Sequence, residues 1–180
     1  GVRGMDFIEK TKSWIQIFVI GLNLCPFAGH SFREDKIRYR LEESDSLEKL
    51  IETLIEELNF LQKDKNNEVE TSILIHPNVL NDFLDYNDFL SIADAVLVDM
   101  DLQGEIQIAS FHPDYRFAGE KKEDPSNYVT RSPFPMLHFL RENIVTKAVQ
   151  QHPNTEQIPF DNTQKLNDLG LDKIKRMTKT

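Results

Sequence analysis

The chain has 180 residues, of which 39% are hydrophobic and 28% are charged, so it can form one folded domain with a core. Its formal net charge of −9 repels phosphate backbones, which argues against nucleic acid as a partner. No apolar run approaches the roughly 20 residues that a membrane-spanning helix needs. One cysteine, Cys25, cannot form an internal disulfide, and there is no signal-peptide pattern, so we expect a cytoplasmic protein without a membrane partner.

Apolar periodicity and turn residues predict alternating helices and strands within residues 6–180, with residues 1–5 as a remnant outside the domain. In chain order the predicted elements are a helix over 7–22, a loop over 23–27, a strand over 36–41, a helix over 47–61, a strand over 71–75, a helix over 87–100, a strand over 105–111, a long polar loop over 114–130, a helix over 132–150, a connector over 152–160 and a last helix from 161. Capping boxes at Asp6 and Asp45 are expected to open the first two helices. From about residue 171 we expect a frayed tail.

This alternation predicts an α/β or α+β fold, in which a small mixed or mainly parallel sheet of three to four strands is covered by helices. The strands predicted over 71–75 and 105–111 both end in a His-Pro pair, at His76 and His112. If these strands are parallel neighbours, both imidazoles lie at the carboxyl edge of the sheet. Open α/β sheets bind their ligands at that edge.

Three histidines and the cysteine are the candidate catalytic residues. His76, His112 and His138 end strands or lie in the first turns of a helix, and an imidazole can act as general acid or base near neutral pH. Cys25 is a candidate nucleophile if a histidine lowers the pKa of its thiol. The alternatives are that each histidine binds a backbone carbonyl and that Cys25 is a buried core thiol. A divalent metal on the three histidines is a lesser alternative, because no HxxxH or CxxC spacing supports it.

A candidate anion site precedes the helix predicted over 132–150. Ser132-Pro133 is typical of a helix start, where free N–H groups and the helix dipole attract an anion. Guanidinium groups from this run and from the long loop would clamp a carboxylate or phosphate. The candidate anion-binding residues are Arg131, Ser132, Arg116, Arg141 and Asn127. In the alternative interpretation, Ser132 only caps the helix and Arg141 forms a surface ion pair.

Four segments of the chain occur together in one known family. They are Asn23-Leu24-Cys25-Pro26-Phe27, His76-Pro77, Ala109-Ser110-Phe111-His112-Pro113, and Arg131-Ser132-Pro133-Phe134-Pro135-Met136 with His138 and Arg141-Glu142. In this order they resemble a bacterial family of uncharacterised proteins, the domain of unknown function numbered fourteen-fifteen. The resemblance extends from Asp6 to about Gly170 and implies a bacterial, cytoplasmic, single-domain protein without an assigned activity. An asparagine often precedes the Arg-Ser-Pro run in that family, where this chain has Thr130, which implies altered binding if that asparagine contacts a ligand.

Three functions are compatible with these residues. The first is an enzyme, such as a hydrolase or transferase, that acts on a small phosphate- or carboxylate-bearing metabolite through histidine acid–base chemistry. The second is a non-catalytic ligand-binding or regulatory module that uses the same pocket. The third is a protein-interaction adaptor, which predicts an exposed apolar patch and no pocket. The residues predict no particular cofactor beyond the lesser metal alternative, and no particular oligomeric state.

Overall fold

The computed structural model describes residues 2–152 and 154–179, with side chains from residue 6 onward in both ranges. Four strands form one sheet: β1 (Ile37–Leu41), β2 (Thr71–Ile75), β3 (Ile106–Phe111) and β4 (Met136–Arg141). Their order across the sheet is β1-β2-β4-β3. β1 and β2 are parallel, and β4 is antiparallel to both β2 and β3, so β3 runs in the same direction as β2. The predicted small mixed sheet with covering helices is confirmed.

Helices cover both faces of this sheet. In the described ranges the α-helices are α1 (Val2–Trp14), α2 (Ala28–Arg33), α3 (Leu47–Lys63), α4 (Phe83–Asp99), α5 (Glu142–Gln151), α6 (Ile158–Leu169) and α7 (Leu171–Thr178). A π-helix, Ile15–Ile20, continues α1, and short 3-10 helices lie at Pro125–Val129 and Thr155–Gln157. One core lies between the sheet and α3 and α4, and a second lies between the other face and α1, the π-helix, α6 and α7. No helix in the described part of the chain is both long and apolar enough to cross a lipid bilayer.

β4 replaces the first part of the helix predicted over 132–150, which was wrong up to residue 141. Leu137 and Phe139 point into the core under α3 and α4, whereas Met136 belongs to the core on the opposite face. This alternation is what a strand buried on both faces requires. Ser132 caps no helix, and its hydroxyl donates to the carbonyl oxygen of Phe134 at 2.6 Å.

The first helix also departs from its prediction over 7–22, because its last part is a π-helix. The N–H of Gly21 donates to the carbonyl oxygen of Gln16 at 3.1 Å, which is the wide i to i+5 bond of a π-turn. A Cβ atom at Gly21 would lie 2.1 Å from the carbonyl oxygen of Ile17, so a side chain here would force the backbone to shift. α1 begins before Asp6, and the predicted capping box at that residue does not open it.

Two further helix starts are set by caps that were not predicted. α3 is capped by Ser46 and not by Asp45, since the Ser46 hydroxyl accepts the N–H of Lys49 at 3.3 Å. α4 begins earlier than the predicted residue 87, because the carboxylate of Asp82 accepts the N–H of Asp85 at 3.1 Å. The caps at Ser46 and Asp82 fix where α3 and α4 begin. The residues of α2 were predicted to form neither a helix nor a strand.

Residues 171–178 are helical, so the prediction of a frayed tail was wrong for these residues. Gly170, with a positive φ of 79°, allows the bend between α6 and α7. Ile174 of α7 is completely buried in the core that also contains Phe18 and Leu166. Burial of Ile174, together with partly buried Met177, anchors a helix whose other face is charged and exposed. The connector predicted over 152–160 includes residue 153, which lies outside the described residues.

A buried carboxylate ties α3 to β1 and β2. The side chain of Glu57 is 1% exposed, and its oxygens accept bonds from Arg38 Nε at 3.0 Å and Ser72 Oγ at 2.8 Å. Arg40 Nη1 lies 3.5 Å from the same carboxylate. A buried charge is stable only when such partners replace its lost hydration.

We expect Glu57→Gln to lower the free energy of unfolding by about 2 kcal/mol, because two arginines would lose their buried counter-charge. Glu56→Gln is the matched control on the same helix. Glu56 is half exposed and bonds Arg40 Nη2 at 2.7 Å, so its loss should cost less than about 1 kcal/mol. Urea unfolding followed by circular dichroism measures both variants, and equal costs would contradict the role assigned to burial.

Candidate functional site

A cavity of about 760 Å³ lies on the sheet face opposite α3 and α4. The sheet forms its floor, the end of α1 and the π-helix form a wall, and α5 covers it with Ile144, Val145 and Ala148. None of the α5 side chains is fully buried, so this helix covers the cavity without entering a core. The volume lies in the range of roughly 300–1,000 Å³ that small-molecule sites occupy. The enzyme and ligand-binding hypotheses both require such a cavity, and the adaptor hypothesis does not.

His138 lies in the floor of the cavity, in the middle of β4. Its Nε2 is 2.5 Å from the hydroxyl oxygen of Thr71, and that hydroxyl donates to the carbonyl oxygen of Phe139 at 2.8 Å. Because the hydroxyl has one proton, Nε2 must be the donor in the first bond, and Nδ1 keeps its lone pair. Among the described residues Nδ1 has no hydrogen-bond partner. Desolvation lowers the pKa of His138 to about 4, so the ring is neutral at neutral pH.

Trp14 forms part of the wall and carries a second polar atom without a partner. Its side chain is 5% exposed and packs edge-on against Phe111, with ring centroids 5.5 Å apart. The indole Nε1 is buried and bonds no other group in residues 2–152 and 154–179. A buried donor left unpaired costs roughly 1–3 kcal/mol, so the packing of the indole ring must offset that cost.

Cys25 lies at the rim of the same cavity, in the turn between the π-helix and α2. Although the residue is partly open to solvent, nearby protein atoms desolvate the thiol and raise its pKa. Backbone N–H groups of Phe27 and Ala28 lower the pKa, but by less. The thiol is therefore protonated at neutral pH, and it lacks the lowered pKa of an activated nucleophile.

His76 and His112 lie together, but away from this cavity. β2 and β3 run in the same direction, so both histidines reach one edge of the sheet, as their position after the two strands predicts. Each ring packs against Tyr86 of α4, with centroid distances of 6.0 Å for His76 and 4.9 Å for His112. His138 projects from a strand that the sequence analysis assigned to a helix. The predicted meeting of three imidazoles is therefore wrong for His138.

Main-chain groups bond three of the four ring nitrogens of these two histidines, and the fourth, His76 Nε2, is buried without a partner among the described residues. His76 Nδ1 donates to the carbonyl oxygen of Val79 at 3.0 Å, and desolvation lowers its pKa to about 4. His112 Nε2 donates to the carbonyl oxygen of Leu80 at 2.9 Å, while its Nδ1 accepts the N–H of Asp114 at 3.0 Å. Both nitrogens of His112 are therefore bonded to main-chain groups, and its role as an acid or base stays a prediction. In the described ranges no group of three His, Cys, Asp or Glu side chains is arranged to hold a metal ion, the three histidines included.

The predicted anion site does not assemble, because its side chains bond main-chain oxygens. Arg131 donates from Nε to Tyr115 O at 2.8 Å and from Nη2 to Lys122 O at 2.7 Å. Arg116 donates to the carbonyl oxygen of Glu120. With no helix starting at Ser132, the described residues also lack the first helical turn whose N–H groups would attract an anion next to Arg131. These residues hold the long loop together.

Asn127 and Arg141 are structural in the same way. Asn127 accepts the N–H of Phe117 at 2.9 Å and donates to the carbonyl oxygen of Lys121 at 2.8 Å. Arg141, at the end of β4, is 8% exposed and was expected on a helix surface. Instead it joins β4 to the end of α3. Its guanidinium donates to Val69 O at 2.8 Å, to Leu61 O at 3.0 Å and to the carboxylate of Asp64 at 3.0 Å.

Sequence reasoning missed most of the residues that line the cavity. Trp14 was assigned only to an apolar stripe, although the lone indole N–H of the chain was a reason to look for a polar contact. Thr71 was treated as an ordinary strand residue. Arg33 and Lys147 line the cavity from α2 and α5, and their sequence surroundings give no sign of this.

The two most desolvated histidines predict loss of stability in acid. Both His76 and His138 have a folded-state pKa of about 4 against an ordinary value of 6.5. Between these pH values the unfolded chain binds protons that the folded chain does not, so the free energy of unfolding falls as the pH is lowered through this window. We expect a slope of about 1 kcal/mol per pH unit from each histidine.

His76→Gln and His138→Gln should each reduce this slope, whatever they cost at neutral pH, because glutamine does not titrate. Urea unfolding across the same pH window measures slope and offset separately. An unchanged slope in both variants would show that these imidazoles are not held neutral by the fold.

Two comparisons with known proteins, one with curated proteins and one with solved structures, find no match. A family model described as protein of unknown function (DUF1415) matches residues 6–176. The match contains all four strands and every residue named above as lining the cavity. The predicted resemblance is confirmed, and the chain belongs to this family of proteins of unknown function.

Proposed function

We propose that the protein is a non-catalytic module that binds a small, largely apolar molecule in the cavity beneath α5. One observation carries the proposal: an apolar cavity of ligand size is lined by Trp14 and by His138, whose acceptor Nδ1 has no hydrogen-bond partner among the described residues. Polar atoms that are shielded from water are normally paired. A ligand with a hydroxyl group would supply the missing donor.

The state of the titratable groups favours binding over catalysis. His138 has a pKa of about 4, which makes it a weak base at neutral pH, and the pKa of the Cys25 thiol is raised. Catalytic acids, bases and nucleophiles generally have pKa values shifted toward the working pH. Here burial shifts both groups away from it. Neutral polar groups in an apolar cavity suit recognition of an uncharged part of a ligand.

Occupancy of the cavity can be followed directly, because Trp14 is the one tryptophan of the chain and lines the cavity. We expect decanol, an uncharged probe with one hydroxyl, to change the Trp14 emission in a saturable manner with one binding site. Ala109→Leu should abolish the change. Ala109 lies in the cavity floor opposite His138 in the β3–β4 pair, so a larger side chain takes up ligand space.

Ala95→Leu is the matched control, because it makes the same substitution at an exposed position on α4. It should bind decanol as the unmodified protein does. Thermal unfolding of both variants checks that each remains folded. If saturable binding of decanol persists in Ala109→Leu, the ligand binds outside this cavity. If the unmodified protein binds no decanol in a saturable manner, the proposal is wrong.

A second candidate function is catalysis in the same cavity. It is favoured by one observation, that His138 with a free Nδ1 and the Cys25 thiol line one cavity. Hydrolysis of p-nitrophenyl octanoate tests it, since this ester has an apolar body that suits the cavity. Turnover that is lost in both His138→Asn and Cys25→Ser would favour the enzyme, whereas the binding module predicts no turnover that depends on either residue.

A further inference from the structure

We infer that the bound ligand is an organic anion, with its apolar body inside the cavity and one negatively charged head group at the mouth, between Arg33 and Lys147. This inference rests on the proposed ligand-binding function and adds the chemical class of the ligand.

The charges around the mouth are opposite in sign to the charge of the whole chain. Arg33 of α2 and Lys147 of α5 both line the cavity and are exposed, while the chain carries a formal charge of −9. Neither cation forms a salt bridge within the described residues. Two cations from different helices that line one cavity, neither of them paired with a carboxylate of the described residues, leave a position for an anion.

Glu70 is the acidic residue that lines this cavity, and local donors already engage its carboxylate. Ser31 Oγ donates to Glu70 Oε1 at 3.3 Å, and His30 Nε2 lies 3.6 Å from the same oxygen. The Glu70 side chain is 12% exposed, so it is held within the wall. With the histidines neutral, the ionisable side chains that line the cavity therefore carry one net positive charge, from Arg33 and Lys147 against Glu70.

Local packing holds both cation-bearing helices at the opening. The ring of Phe27, which precedes α2, packs edge-on against His152, which follows α5, with centroids 5.2 Å apart. Arg33 folds back over its own helix. Its Nη1 atom lies 2.8 Å from the position that a Cβ atom at Gly29 would occupy, so a larger residue at Gly29 would displace the guanidinium. The guanidinium thus rests where glycine leaves room, beside the cavity.

An exposed pair of cations adds modest affinity and clear selectivity. Ion pairs at a solvent-exposed position change an equilibrium by about two- to fivefold each, so both together give about a tenfold preference for an anion. A carboxylate and a phosphate monoester both match this pair. A positively charged head group of the same length should be disfavoured.

The test uses Trp14 emission with probes that share one apolar body: decanol, ω-hydroxydecanoate, decanoate, decyl phosphate and decylamine, each below its micelle concentration. We expect the anions to bind about tenfold more tightly than decanol and more tightly than decylamine, with a preference that weakens in high salt. The double variant Arg33→Gln with Lys147→Gln should bind anions and decanol equally, while its affinity for decanol stays unchanged. Comparison of decanoate with decyl phosphate distinguishes the two head groups.

The control is the double variant Lys175→Gln with Arg176→Gln, which removes the same charge from exposed positions on α7. It should keep the preference for anions. If the unmodified protein binds decanol as tightly as every anion, or if the control loses the preference to the same extent, the inference fails and the proposed binding of apolar ligands stands. If no probe binds saturably, the proposed function fails as well.

Discussion

The position of β4 in the middle of the sheet is the constraint on which the rest of the structure depends. β4 pairs with β2 on one side and β3 on the other, and it runs against both. Its alternating side chains therefore belong to two different environments, with Leu137 and Phe139 in one core and His138 in the cavity. The hydroxyl of Tyr86 fixes the start of the strand, because it donates to Met136 O at 2.7 Å and accepts the N–H of Phe111 at 2.9 Å. A shift of β4 by one residue would exchange the two sets of side chains.

The polar residues of the long loop serve its own backbone. Irregular chain has N–H and C=O groups that no helix or sheet pairs, and each must find a partner when it is buried. Arg131 and Asn127 supply those partners through bonds to main-chain atoms of the loop, and His112 Nδ1 accepts the N–H of Asp114 at its start. Trp14 Nε1 and His138 Nδ1, which have no partner among the described residues, lie on regular elements whose backbone is already paired, whereas His76 Nε2, also unpaired, lies directly after β2.

This difference explains how much of the molecule the sequence predicts. β2, β3 and α3 were located closely, because apolar periodicity and His-Pro ends are local features. The segment 132–150 was divided wrongly, since Ser132-Pro133 imitates a helix start and the apolar spacing of Leu137, Leu140 and Ile144 fits a helix as well as a strand. Residues 136–141 form a strand because they pair with β2 and β3, which are distant in the sequence, and a local sequence pattern does not show that pairing. Once that segment was misassigned, neither the position of His138 nor the cavity could be derived.

The division between a neutral interior and a cationic mouth follows from the cost of burying charge. Inside the cavity, desolvation keeps His138 uncharged, and an anionic head group there would need a buried cation as a partner. At the mouth, Arg33 and Lys147 remain hydrated and can meet an anion without that cost. A ligand with an apolar body and one charged end therefore loses least hydration when its charge stays at the opening. The same reasoning requires that any polar group placed deep in the cavity be neutral, because the acceptor available there is the lone pair of an uncharged imidazole.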